Sequence, residues 1–149
     1  MKDEDERLFT GGERLEGGIR TAVELWLTDP AATKALFGPI ASWDTSEITN
    51  MYRLFCGRAG FDEDISRWDV SNVTSLAYTF SGATSFNGNL SCWDVSNVTD
   101  MGFMLANATS FDQQLGGAWA RSTARKYWMF RRSPGSIVGK TNDADGTPE

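Results

Sequence analysis

A period of 25 residues constrains this chain more than any other property of its sequence: Trp43, Trp68 and Trp93 recur at that interval, and Trp119 follows after 26. The register reaches beyond tryptophan. Ile40, Ile65, Leu90 and Leu115 share it, as do Phe61, Phe86 and Phe111, then Met51, Leu76 and Met101, then Phe55, Phe80 and Leu105. The string WDTSEIT at 43–49 becomes WDVSNVT at 68–74 and again at 93–99. A period of this size means stacked units that share one core, because a single copy has too few apolar side chains to bury a core of its own. Three complete copies run 40–64, 65–89 and 90–114, with a partial copy at 115–119, so the repeat body is expected over 40–119.

Within a copy the periodicity changes. In LSCWDV at 90–95, Trp93 and Val95 alternate about Asp94, which predicts a short strand. In VTSLAYTFSGA at 73–83, Val73, Leu76 and Phe80 fall at i, i+3 and i+7, which predicts a short helix. Thr49, Thr74 and Thr99 stand where such helices would be capped, and Gly57 and Gly82 where they would stop. The expected class is an α/β repeat of short parallel strands and short helices. Residues 19–39 are expected to form an N-terminal helical cap, with Ile19, Val23, Trp26 and Leu27 at helical spacing before Pro30. Residues 120–132 read as a basic capping helix, 1–18 as a disordered or extended N-terminus, and 133–149 as a disordered tail.

Composition narrows the chemistry. The chain has no histidine and two cysteines, which removes Ser-His-Asp and Cys-His catalysis, the His-bearing zinc sites and a Cys-only zinc site. Its formal charge of −6 is unevenly spread: residues 41–115 hold nine acids against three arginines, whereas 116–140 hold six bases and no acid. A body of that sign is unsuited to nucleic acid, and no run of 18 apolar residues offers a membrane span. The polar, acidic start of the sequence does not read as a secretory signal.

Asp44, Asp69 and Asp94 follow the Trp of their copies, before Thr45, Val70 and Val95, and would form a ladder about 4.8 Å apart in a parallel stack. With Ser46, Ser71 and Ser96 beside them they are a candidate ligand-facing strip; alternatively, each Asp accepts the backbone N–H two residues on in an Asx-turn. Three carboxylates in a line do not supply the six to eight oxygens of a calcium site, so no metal is expected. Asn72, Asn89, Asn97 and Asn107 begin glycosylation sequons, of which Asn89 and Asn107 are the better candidates because the other two belong to the SNVT turn. The register makes the tryptophans core residues, and Cys56 and Cys92, at different repeat positions, read as free thiols. The cluster Arg121, Arg125, Lys126, Arg131 and Arg132 reads either as the solvated face of a cap or as a patch for phosphate or a membrane surface. Asp62, Glu63 and Asp64 imply no pocket, so no catalytic residue, cofactor or enzyme activity is expected.

The strings SFNGNLSCWDVSNVTDMGFML and FDEDISRWDVSNVTSL resemble the BspA-type leucine-rich-repeat surface proteins, in particular the 25-residue subtype first noted as a mycoplasma protein repeat of unknown function. The likeness covers roughly residues 19–119. It implies a right-handed solenoid of leucine-rich-repeat type, an extracellular or cell-surface location, and adhesion without catalysis. The expected function is a non-catalytic binding or adhesion module, monomeric, that presents its repeat surface to a protein or glycan partner. The alternative is a structural segment of a longer surface array with no ligand of its own.

Overall fold

The computed structural model of the protein describes residues 18–142. It opens on helix α1 (Gly18–Thr28), which buries Ile19, Ala22, Val23 and Trp26 along one stripe. Helix α2 (Pro30–Phe37) restarts at once, because Pro30 suits a first helical turn and the Asp29 carboxylate accepts the Ala32 N–H at 3.1 Å. Gly38, at φ +79°, ends it. A single turn of 3-10 helix (Ile40–Ser42) then leads into the first copy.

Trp43, Trp68, Trp93 and Trp119 are all buried, and each indole N–H donates to an earlier carbonyl. Trp68 reaches Ile40 O at 2.8 Å, Trp93 reaches Ile65 O at 3.1 Å, Trp119 reaches Leu90 O at 2.9 Å, and Trp43 closes on Gly38 O at 3.0 Å. The indole thus fills the core and ties one copy to the one before, which resolves the cost of burying its polar N–H. Phenylalanines stack in the same direction: Phe55 on Phe80 at 5.5 Å, Phe61 on Phe86 at 5.8 Å and Phe86 on Phe111 at 6.0 Å.

The expected strand at LSCWDV and the expected helix at VTSLAYTFSGA are both replaced by turns. Around the tryptophan the chain bends tightly, with Trp93 N–H on Leu90 O and Val98 N–H on Val95 O, both at 3.1 Å. After it, each copy forms a ribbon of three overlapping turns. In the first ribbon Leu54, Cys56 and Arg58 donate to Met51, Arg53 and Phe55. The alternate donors Met51, Arg53, Phe55 and Gly57 reach the carbonyls of Ser75, Ala77, Thr79 and Ser81 in the next copy at 2.7–3.1 Å. The pattern repeats from the second copy to the third and from the third to the fourth, through the parallel bridges Asn50–Ser75, Ser75–Asp100 and Asp100–Arg125. A helix would keep every N–H to itself and, at this length, would be marginal alone. The ribbon satisfies the same donors and joins the copies through the backbone as well.

The ribbon places two residues per copy at positive φ. The second row, Gly57, Gly82, Asn107 and Arg132, begins with glycine, as this conformation favours. The first row is Arg53, Tyr78, Phe103 and Trp128, at φ 56–60°, and contains no glycine at all.

Residues 120–132 are not a capping helix. Helix α3 (Ala118–Arg121) is a single turn, after which 125–133 form a fourth ribbon in register with the others. The extra residue that delays Trp119 is absorbed at Gly116–Gly117, with Gly117 at φ +54°, and the Asp100–Arg125 bridge restores the 25-residue spacing. Residues 133–142 are not a disordered tail either. Strand β2 (Ser136–Ile137) pairs in parallel with strand β1 (Gln114–Leu115), and Ile137 is buried below Leu115. Gly135 allows the approach, since a Cβ there would lie 2.6 Å from the Phe111 ring. The disorder or extension expected over 1–17 and the disorder expected over 143–149 lie outside the described residues.

The two ends of the stack differ. Carbonyls of the first ribbon have no earlier copy to receive, and Arg20 of α1 serves instead, its guanidinium donating to Tyr52 O at 2.8 Å and Asn50 O at 3.4 Å. On the last ribbon, among the described residues, the backbone N–H groups of Lys126, Trp128, Phe130 and Arg132 meet no carbonyl.

Candidate functional site

The sequence pointed first to the aspartate ladder, and the geometry turns those carboxylates inward on their own turns. Asp44 Oδ1 accepts the Ser46 N–H at 3.0 Å and its hydroxyl at 2.6 Å, Asp69 does the same with Ser71 at 2.9 and 2.6 Å, and Asp94 accepts Ser96 N–H at 3.0 Å. The serine hydroxyl first, and the backbone N–H next, hold the Asp44 and Asp94 carboxyls below the usual aspartate range. All three side chains are exposed, and no group of three metal-suited side chains occurs among the described residues.

Asn72 and Asn97 donate through Nδ2 to Ser46 O and Ser71 O, at 2.6 and 2.7 Å, as one more rung between copies. Asn89 is exposed, with its side-chain oxygen accepting Ser91 N–H at 2.9 Å. Asn107 is exposed in the second positive-φ row, its backbone N–H on Arg131 O. Cys56 and Cys92 are free thiols.

The ribbons carry a different surface. Residues 50–58, 75–83, 100–108 and 125–133 contain six bases and one acid, Asp100; the remainder of 40–124 contains eight acids and two bases. Charge is therefore sorted into basic outer ribbons, the first and the fourth, and acidic flanks, with Asp100 the one charged residue of the two ribbons between. Arg58 is paired with Glu24 of α1.

On that face the first positive-φ row stands in line. Tyr78 and Phe103 lie parallel, ring centres 4.8 Å apart, with Tyr52 edge-on to Tyr78 at 5.8 Å and Tyr127 edge-on to Phe103 at 6.2 Å. Arg53 leans over Tyr52 and Tyr78, at 6.0 and 5.7 Å, and Arg131 over Trp128 at 4.6 Å. The neighbouring row reads Tyr52, Ala77, Gly102, Tyr127, large at its ends and small in its middle. It leaves an open slot of about 350 Å³ lined by this row together with Tyr78, Phe103, Asp100 and Arg125, so that Tyr52 and Tyr127 belong to its outer copies and Ala77 and Gly102 to its middle ones.

A bulky residue at positive φ carries strain of about 1–2 kcal/mol that glycine would relieve. The second row shows that this backbone accepts glycine where the side chain has no task. The aromatic row therefore keeps its rings in spite of the backbone, and ring contacts along the row offset part of that strain. Tyr78 falls within the helix expected over 73–83, where it and its register mates Arg53 and Phe103 are ordinary surface positions. Their shared register with Trp128, and the small pair Ala77 and Gly102 between Tyr52 and Tyr127, were the signal available.

A family model described as Mycoplasma protein of unknown function, DUF285, matches residues 29–136. No curated protein and no solved structure matches the chain.

Proposed function

Since the chain belongs to the family described as Mycoplasma protein of unknown function, DUF285, we propose that it is a non-catalytic binding module that engages its partner through the aromatic ribbon face. The observation that carries this is the slot between Tyr52 and Tyr127, built on residues held at unfavourable φ. In this reading the stack is a right-handed solenoid of leucine-rich-repeat kind, of the BspA type, displayed at a cell surface as a monomer. Regular 25-residue spacing and parallel bridges between copies support that fold class. No residue is assigned to catalysis and no cofactor or metal is required, consistent with the absence of histidine.

The binding face differs from the one the sequence favoured. Asp44, Asp69 and Asp94 hold their own turns, whereas the ribbon face offers rings, a concavity and opposite charges side by side. Immobilised protein should retain a partner from panels of glycans and extracellular-matrix proteins. Tyr127→Ala should weaken that retention about tenfold or more while leaving the melting temperature near the parent's. Equal retention by the two proteins sinks this reading.

A second reading, a structural segment of a longer array with no ligand, is favoured by the row of N–H groups on the last ribbon that meet no carbonyl among the described residues. It predicts blank panels for the parent together with a rise in melting temperature when one further consensus copy is fused behind the chain.

A further inference from the structure

We infer that the slot takes an acidic oligosaccharide, a sugar chain bearing carboxylate or sulfate groups; the inference rests on the binding-face reading above and specifies its ligand. Three features of the slot select that chemistry. Its volume of about 350 Å³ and open form suit a short stretch of a linear chain. Four of its eight lining residues are aromatic, Tyr52, Tyr78, Phe103 and Tyr127. Tyr78 and Phe103 stack face to face, whereas Tyr52 and Tyr127, edge-on to that pair, are 42% and 47% exposed, so the end tyrosines are the rings against which the apolar C–H face of a pyranose can lie.

The polar side of the slot narrows the choice further. Arg125 is exposed there, and Arg53 and Arg131 stand over rings at either end of the row, so the face attracts an anion. A guanidinium meets a carboxylate or sulfate through two N–H groups at once. Asp100 lines the slot together with Arg125, its bridge partner in the next copy. Its Oδ1 accepts the Gly102 N–H at 2.9 Å, which fixes the carboxylate and leaves Oδ2 as an acceptor. A carboxylate set between basic ends repels a ligand made only of anionic groups, such as a phosphodiester chain or an acidic peptide. It welcomes a ligand that carries hydroxyl donors among its anions. A sugar acid has both, together with the apolar ring face that the tyrosines require.

Calorimetric titration of the full chain tests this with five probes: tetragalacturonate, a heparin-derived sulfated tetrasaccharide, neutral galactotetraose, hexaglutamate and a short oligo-dT. The expected result is that at least one of the two acidic sugars binds about tenfold or more tighter than galactotetraose at low salt. Which of the two binds identifies the anionic group. Arg125→Gln should remove the preference for acidic over neutral sugar, and Tyr127→Ala should weaken both sugars. Asp100→Asn should weaken the sugars and strengthen hexaglutamate, a reversal that mere damage to the fold would not produce.

Equal binding of acidic and neutral sugar overturns the inference, as does tighter binding of hexaglutamate or oligo-dT than of either acidic sugar. If hexaglutamate alone binds, and Tyr127→Ala abolishes it, the sugar is wrong while the binding face stands. If no probe binds and the glycan and matrix panels are blank as well, both fail together.

Discussion

Tyr78, Phe103 and Trp128 hold a backbone conformation that few large residues adopt, and the neighbouring positive-φ row supplies its own control. Arg132 is exposed at φ 57° with no ring contact, so Arg132→Gly should stabilise the protein by about 1 kcal/mol, read from urea unfolding. A loss of stability would mean that the side chain does more than the structure accounts for. Trp93 is the opposite case. It is fully buried in the central copy and its indole N–H holds Ile65 O, so Trp93→Ala should cost about 3–5 kcal/mol. A variant melting within a few degrees of the parent would contradict its place in the core. The aspartate turns add a pH dependence. Hydrogen bonds lower the folded-state pKa of Asp44 and Asp94, so their contribution is present above the unfolded value, near 4, and is lost as pH falls through the lower folded value. Stability should therefore decline progressively below about pH 4, and the double variant Ser46→Ala/Ser96→Ala should flatten that decline in thermal melts taken across the acid range.

At the scale of elements, the ribbon is the unit that sequence patterns described incompletely. Val73, Leu76 and Phe80 are buried, so their i, i+3, i+7 spacing did find the inward face. That spacing does not distinguish a helix from overlapping turns, because both bring every third or fourth residue to one side. What decides is the second set of backbone bonds, made to residues a whole copy away, and no local propensity encodes them. The tryptophan register was fully legible, since burial follows the period directly. The fourth ribbon was hidden by one inserted residue and by bases that resemble a solvated helix face. The slot was hidden because its residues break the very preference, glycine at positive φ, that turn prediction relies on. Hydrogen exchange separates ribbon from helix. Amides of Tyr78, Phe80, Gly82, Phe103, Leu105 and Asn107 are each bonded to the next copy and should be protected, whereas those of Lys126, Trp128, Phe130 and Arg132 should exchange fast beside protected Met129 and Arg131. Uniform protection through 126–132 would restore the helix.

Across the whole molecule, stacking gives direction as well as stability. The first ribbon is closed by Arg20 and α1, whereas among the described residues no counterpart closes the last. Charge is ordered across the stack too, basic on the first and fourth ribbons and acidic in the segments between ribbons, so the sequence total of −6 conceals two basic clusters. Binding at the aromatic ribbon face should weaken as salt rises, while the buried tryptophan ladder, being uncharged, should respond little.

The unequal ends have a mechanical consequence. A chain pulled apart through its termini meets a stapled edge on one side and, on the other, a row of donors that bond to no carbonyl among the described residues. Rupture should begin at the fourth ribbon and travel copy by copy toward α1, like a seam opened from its unfinished edge. In an optical trap this would be read as small, nearly equal extension steps of about one repeat each, and Arg20→Ala would let the seam open from both sides.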